Sequence, residues 1–234
     1  MSNFDFSRVT AAEQPRNNAE LMVDIETLGT RMGAPILTIG ATIFDPYASD
    51  SGEELMRRAI LIRFDIAEAV RYAEHVDGNT LRWWFEQEDA ALKALVGKDT
   101  MTVREGLKLL YDYCHDRGAF MNDAAFDGIT EFPKCNRFWA KDPDFDMRLM
   151  EHYYSHPDIP FDTPWKFWSN RSVRTVQDLA WPSGDRPDFD VKGGVAHDAR
   201  WDAVTQAMMV QAAMRRLGIA QDQDVRFSAW EGND

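Results

Sequence analysis

Two carboxylates one residue apart, Asp24 and Glu26, end the apolar run LMVDIET. A strand has a side-chain period of two, so both acids project from the same face of a sheet. Like charges held that close repel each other. A bound cation relieves the repulsion, and hard divalent ions such as Mg²⁺ and Mn²⁺ take oxygen ligands. Further acids for the same metal lie far downstream, Asp146 in KDPDFDMRLMEHYY and Asp202 in VAHDARWDAV, where His197 stands as a candidate base. Singly these signals are weak. A lone D-x-E is most often two solvated or ion-paired residues, and a lone histidine is usually a satisfied core or surface residue. Their joint placement carries the argument: the acid pair ends the first strand, Asp146 follows a later strand, and His197 with Asp202 opens the last helix.

The elements that must position these residues follow from periodicity. Ile36 to Phe44 alternates and is β-branched, so it reads as a partner strand, with Gly29 to Pro35 as the turn. After a polar loop, Tyr47 to Glu54, the run RRAILIRF (Arg57 to Phe64) predicts a third strand of an antiparallel meander. DIAEAVRYAEH predicts a helix broken by Asp77-Gly78. Thr80 to Val96 predicts one helix, with Leu81, Trp84, Phe85, Leu92 and Leu95 on a single stripe. Trp83 lies off that stripe, either packed against an insertion or offering a stacking face for bases.

Thr102 to Arg117 predicts a helix opened by a Thr102/Glu105 capping box. Its buried face is Val103, Leu107, Leu110, Tyr111 and Cys114, and Gly118 follows its end. Ala119 to Lys134 is turn-rich. Cys135 to Ala140 predicts a short strand, and Pro143 precedes a helix with Asp146 in its first turn. Three prolines make Ser155 to Trp168 mostly loop, Thr175 to Ala180 reads as a short helix, and Ser183 to Gly194 as a flexible surface segment. The last helix has Asp198 as N-cap and an apolar side of Ala203, Val204, Ala207, Met208, Val210 and Met214. Arg215 and Arg216 complement its dipole, and Gly218 ends it.

Composition sets the outer bounds. The chain has 234 residues, 44% hydrophobic and 28% charged, as in ordinary globular proteins. One domain over 20–220 is expected, with an N-terminal arm (1–19) and a polar tail (221–234). No apolar run approaches the ~20 residues of a membrane span, and the N-terminus lacks the pattern of a secretory signal. Two cysteines, Cys114 and Cys135, make no disulfide framework, so a reducing, cytoplasmic setting is the simpler reading. The net charge of −13 argues against coating duplex DNA by bulk electrostatics. It leaves room for a metal site with a local basic groove. Basic residues cluster at Arg57, Arg58 and Arg63 and at Arg171 and Arg174, which read equally well as ordinary solvated charges.

In this arrangement the chain resembles the DEDDh exonucleases of the RNase H-like superfamily. The first motif is VDIETLG with Asp24 and Glu26, the second FWAKDPDFDMRLM with Asp146, the third HDARWDA with His197 and Asp202. The resemblance runs from about Leu21 to about Gly218. It is similar in particular to the phage exonuclease A (DexA), exonuclease VIII and RNase AS group, and NTLRWWFEQEDAALKAL resembles a helix of that group. Many relatives carry a W-G-N-G-like stretch before the second-motif acid, where this chain has Trp139, Ala140, Lys141 and Asp142.

The resemblance implies an α/β, RNase H-like fold: a mixed five-stranded sheet, its first three strands antiparallel, flanked by helices. The four acids then hold two divalent cations, Mg²⁺ or Mn²⁺. His197 takes the proton from the attacking water, a role that suits an imidazole near neutral pH. Thr27 and Leu28 match positions that contact the terminal nucleotide. The leading expectation is a 3′–5′ exonuclease on single-stranded DNA that releases nucleoside 5′-monophosphates. The alternative substrate is the RNA 3′ end, and a different-class rival is a catalytically idle binding or scaffold protein. A phage-encoded copy would work in the host cytoplasm. The sequence leaves the oligomeric state open, a homodimer included.

Overall fold

The computed structural model describes residues 19–115, 135, 137–189 and 194–219. The expected N-terminal arm up to residue 18, the turn-rich stretch 119–134, Gly118 and the tail 221–234 lie outside the described residues, as do residues 190–193 of the surface segment. In chain order the elements are β1 (Glu20–Thr27), β2 (Ile36–Phe44), α1 (Gly52–Arg58), β3 (Ile60–Arg63), α2 (Ile66–Tyr72), α3 (Gly78–Phe85), α4 (Asp89–Leu95), α5 (Val103–His115), β4 (Phe138–Ala140), α6 (Asp146–Tyr154), β5 (Asn170–Ser172), α7 (Val173–Ala180) and α8 (Ala199–Arg216). The strands form one mixed sheet in the order β3-β2-β1-β4-β5. β1, β2 and β3 pair antiparallel, as expected, while β4 runs parallel to β1 and β5 parallel to β4.

Both faces of the sheet are covered, so β2 is buried along its whole length and shows no polar alternation. Leu21, Val23 and Ile25 point into a core shared with Leu107 and Leu110 of α5 and Met147 and Met150 of α6. Met22 points the other way, into a core with Trp139, Val173 and the α8 residues Ala203, Val204, Ala207 and Val210. Period two then places Asp24 and Glu26 on the α8 side. α8 sits directly on the sheet at Gly40, the register partner of Asp24. A Cβ at Gly40 would lie 2.0 Å from the Ala199 carbonyl group, so only glycine allows this approach.

Several predicted boundaries move. The third strand is only Ile60–Arg63, and Arg57 and Arg58 belong to α1. The reason is a capping box: Ser51 Oγ accepts from the Glu54 N–H, and the Glu54 carboxylate accepts from the Ser51 N–H. Glu53 and Glu54 at the start and Arg57 and Arg58 at the end also match the helix dipole. The single helix expected over Thr80–Val96 is two, interrupted after Phe85, and Asp77 caps the first through the Asn79 and Thr80 N–H groups. The break removes Phe85 from the buried stripe and leaves it 79% exposed.

α5 opens on the expected box, with reciprocal bonds between Thr102 and Glu105. Tyr113, not Tyr111, is its buried tyrosine, and Tyr113 Oη accepts from the Ile43 N–H at 3.2 Å. Cys114 is buried, as expected. Asp198 caps α8 through the Arg200 N–H, and Gly218 closes it at φ +71°. Among the described residues no helix is long and apolar enough to cross a membrane.

Candidate active site

The ends of β1 and β4 and the starts of α6 and α8 enclose a cavity of about 530 Å³. Asp24, Glu26, Asp146, His197 and Asp202 all line it. The five residues singled out by type and spacing are therefore brought together, although 178 positions separate Asp24 from Asp202.

The four carboxyls come from three elements: Asp24 and Glu26 from β1, Asp146 from α6 and Asp202 from α8. Asp146 is the first residue of α6 and is 4% exposed. Burial pushes it up to about 7, against the pull of backbone N–H groups from Asp142, Ile25 and Asp146 itself. Asp24 accepts a 2.7 Å hydrogen bond from Gln206 Nε2. Burial first, then the charges of Asp146, Glu26 and Asp202, hold Asp24 well above the usual carboxylate range. Glu26 is pushed up to about 9, mainly by burial, then by Asp202 and Asp146. Asp202 is also raised by burial, opposed by the His197 and Lys141 charges and by the His197 backbone N–H. Without a positive ion these acids retain protons that an exposed carboxylate would have lost.

His197 occupies a turn just ahead of α8 at φ +62°, the one positive φ among the described non-glycine residues. Such a conformation costs energy and persists only where the surroundings enforce it. Here they do: its ring packs T-shaped against Trp83 at 4.8 Å and Trp84 at 6.1 Å. Trp84 is itself anchored, with Nε1 donating to the Thr27 carbonyl at 2.9 Å. One ligand atom from each of Glu26, His197 and Asp202 lies within 4.8 Å of the other two. A donor set of carboxylate oxygens with at most one imidazole fits a hard divalent cation.

A family model for the 3′-5′ exoribonuclease Rv2179c-like domain matches residues 19–214. The chain belongs to that family. No curated protein matches it. Membership makes the chain a metal-dependent 3′–5′ exonuclease, a phosphodiester hydrolase whose substrate is a nucleic acid. The sheet and its helices are compatible with the RNase H-like fold expected of it.

Thr27 and Leu28 are not brought into the cavity of this family member. Both are buried, with Thr27 Oγ1 bonded to the Gly29 carbonyl and the Leu28 N–H to the Pro35 carbonyl. Trp83 is 40% exposed beside His197. Of the basic clusters, Arg58 pairs with Asp50 and Arg63 bonds the Ala94 carbonyl, both away from the cavity, whereas Arg174 lines it. Sequence reasoning missed Gln206, Lys141 and Thr30. Gln206 could have been found, because it stands four residues after Asp202 and so shares its helix face. Lys141 lies just past the last residue of β4, where a parallel strand delivers its side chain to the site.

Proposed function

We propose that the chain is a 3′–5′ exoribonuclease that removes nucleoside 5′-monophosphates from RNA 3′ ends with two divalent cations, Mg²⁺ or Mn²⁺. The observation that carries the substrate class is the exoribonuclease family match over residues 19–214. It favours the alternative expectation, RNA, over the leading one, single-stranded DNA. VDIETLG and HDARWDA support a nearer kinship with the phage exonuclease A group. Residues 20–220 are read as the single catalytic domain.

Asp24, Glu26, Asp146 and Asp202 hold the cations in this reading. The bound ions supply Lewis acidity toward the attacked phosphate. Gln206 fixes one Asp24 oxygen by its hydrogen bond and leaves the other for the cavity. An imidazole nitrogen of His197 takes the proton of the attacking water, and Trp83 and Trp84 restrict where that ring can go. Discrimination for ribose rests on contacts to the 2′-hydroxyl.

The test is digestion of matched single-stranded RNA, single-stranded DNA and duplex DNA with Mg²⁺ or Mn²⁺, with products resolved as mononucleotides. RNA should be shortened from its 3′ end faster than DNA. Preferred digestion of DNA would return the deoxyribonuclease reading. Inertness toward all three would make the chain the idle binding protein.

A further inference from the structure

Two basic side chains, Lys141 and Arg174, line the acidic cavity of a chain whose net charge is −13. β4 ends at Ala140 and β5 at Ser172, and these two residues are register partners. The residues that follow them therefore emerge side by side, and the Arg174 N–H bonds the Lys141 carbonyl at 3.4 Å. Both side chains are exposed and line the cavity. Lys141 forms no ion pair with any described residue. Arg174 has only a loose contact with Asp142 at 3.9 Å, both groups more than half exposed. Such a pair is worth little in water, so both cations are available to another anion.

The charge of Lys141 is felt by Glu26 and Asp202, so it stands close to where the reacting phosphate must go. Four ionised acids with two divalent cations leave the centre close to neutral, which gives a polyanion no reason to enter. Lys141 and Arg174 outweigh Asp142 and make the entrance positive. A 3′–5′ exonuclease removes a nucleotide that ends in a 3′-hydroxyl, so every phosphate other than the one attacked lies on the 5′ side of the cut. We propose that Lys141 and Arg174 form a subsite for the first phosphate on that side. The Arg174 guanidinium supplies a two-toothed donor fork and Lys141 a point charge. The inference rests on the exonuclease reading above.

The test compares a dinucleoside monophosphate, whose only phosphate is the one cut, with a trinucleoside diphosphate, which adds the next one. The readout is the ratio of kcat/KM for the longer over the shorter. In the unaltered protein the ratio should exceed one, and a neutral methylphosphonate at the second linkage should reduce it. In Lys141→Ala with Arg174→Ala the ratio should fall by roughly fivefold to twentyfold, as expected for lost charge-assisted bonds, whatever the absolute rate. Methylphosphonate should then have no further effect, and the salt dependence of binding to longer oligonucleotides should flatten. A ratio that survives the double substitution would overturn the subsite, as would insensitivity of the unaltered protein to methylphosphonate. Failure of the unaltered protein to cut either compound would instead overturn the exonuclease reading. Circular dichroism controls for folding, which removal of two exposed side chains should leave unchanged.

Discussion

Replacing Glu26 with glutamine should stabilise the metal-free protein. Glu26 ionises at about 9 in the folded chain against an ordinary 4.5. A carboxyl raised by folding contributes stability that is fully present below 4.5 and is lost as pH rises through about 9. At pH 7 the unfolded chain has released this proton and the folded chain still holds it. At about 1.4 kcal/mol for each pH step, the gap disfavours the fold by on the order of 3 kcal/mol, an upper bound because the proton is shared with Asp24, Asp146 and Asp202. Glutamine mimics the protonated form and cannot ionise, so the penalty disappears.

For a domain of this size the gain corresponds to a Tm rise of roughly 5–10 °C. Scanning calorimetry in excess chelator should show the two proteins close together near pH 4.5 and diverging as pH rises. Divalent cations should reverse the order, because they bind and stabilise the unaltered site. A Tm difference that stays constant with pH, or a variant less stable throughout, would refute the assignment of Glu26 to a crowded, desolvated acid cluster.

Asp24→Asn, Asp146→Asn or Asp202→Asn should each remove most nuclease activity, and paired substitutions should lose little more, because the group acts as a unit; near-normal turnover in Asp146→Asn would shift its role to Asp142. Gln206→Leu should reduce turnover by roughly 10–100-fold, as for other residues that orient a metal ligand, with the circular dichroism spectrum unchanged. His197→Ala should lose roughly 10²–10⁴-fold in single-turnover rate while binding metal normally in calorimetry; loss of metal in proportion to activity would make it a ligand instead. Trp83→Ala should lower kcat more than it raises KM, with Trp83→Phe restoring much of the rate; a change in KM alone would place the ring against the nucleic acid rather than behind His197.

The parts of this molecule that local chemistry determines were legible in its sequence. An apolar run ending in two acids placed β1, a β-branched run after a turn placed β2, and the Thr102/Glu105 box, Asp198 and Gly218 marked helix ends by satisfying backbone groups nearby. The five cavity residues were recognisable because two strand residues of like charge need a partner, and the later acids follow their own strand and helix start. Other features depend on contacts that spacing does not reveal. The apolar run Ala59 to Ile62 hid the helix that Ser51 and Glu54 begin. The break between α3 and α4 has no glycine or proline to announce it. β5 is three polar residues, made a strand only by its neighbour β4. The bond from Gln206 to Asp24 can be known only once α8 is laid across β1.

That crossing has a consequence for timing. The first strand contributes Asp24 and Glu26, and the helix seated on the neighbouring strand at Gly40 contributes Asp202 and Gln206. Synthesis at about 5–20 residues per second puts roughly 10–35 seconds between the two halves of the site. Throughout that interval the growing chain carries an incomplete acid cluster and no α8 to close it. If the proposed site and RNA substrate hold, a nuclease arranged this way stays inert beside the messenger that encodes it until α8 has been made and has docked.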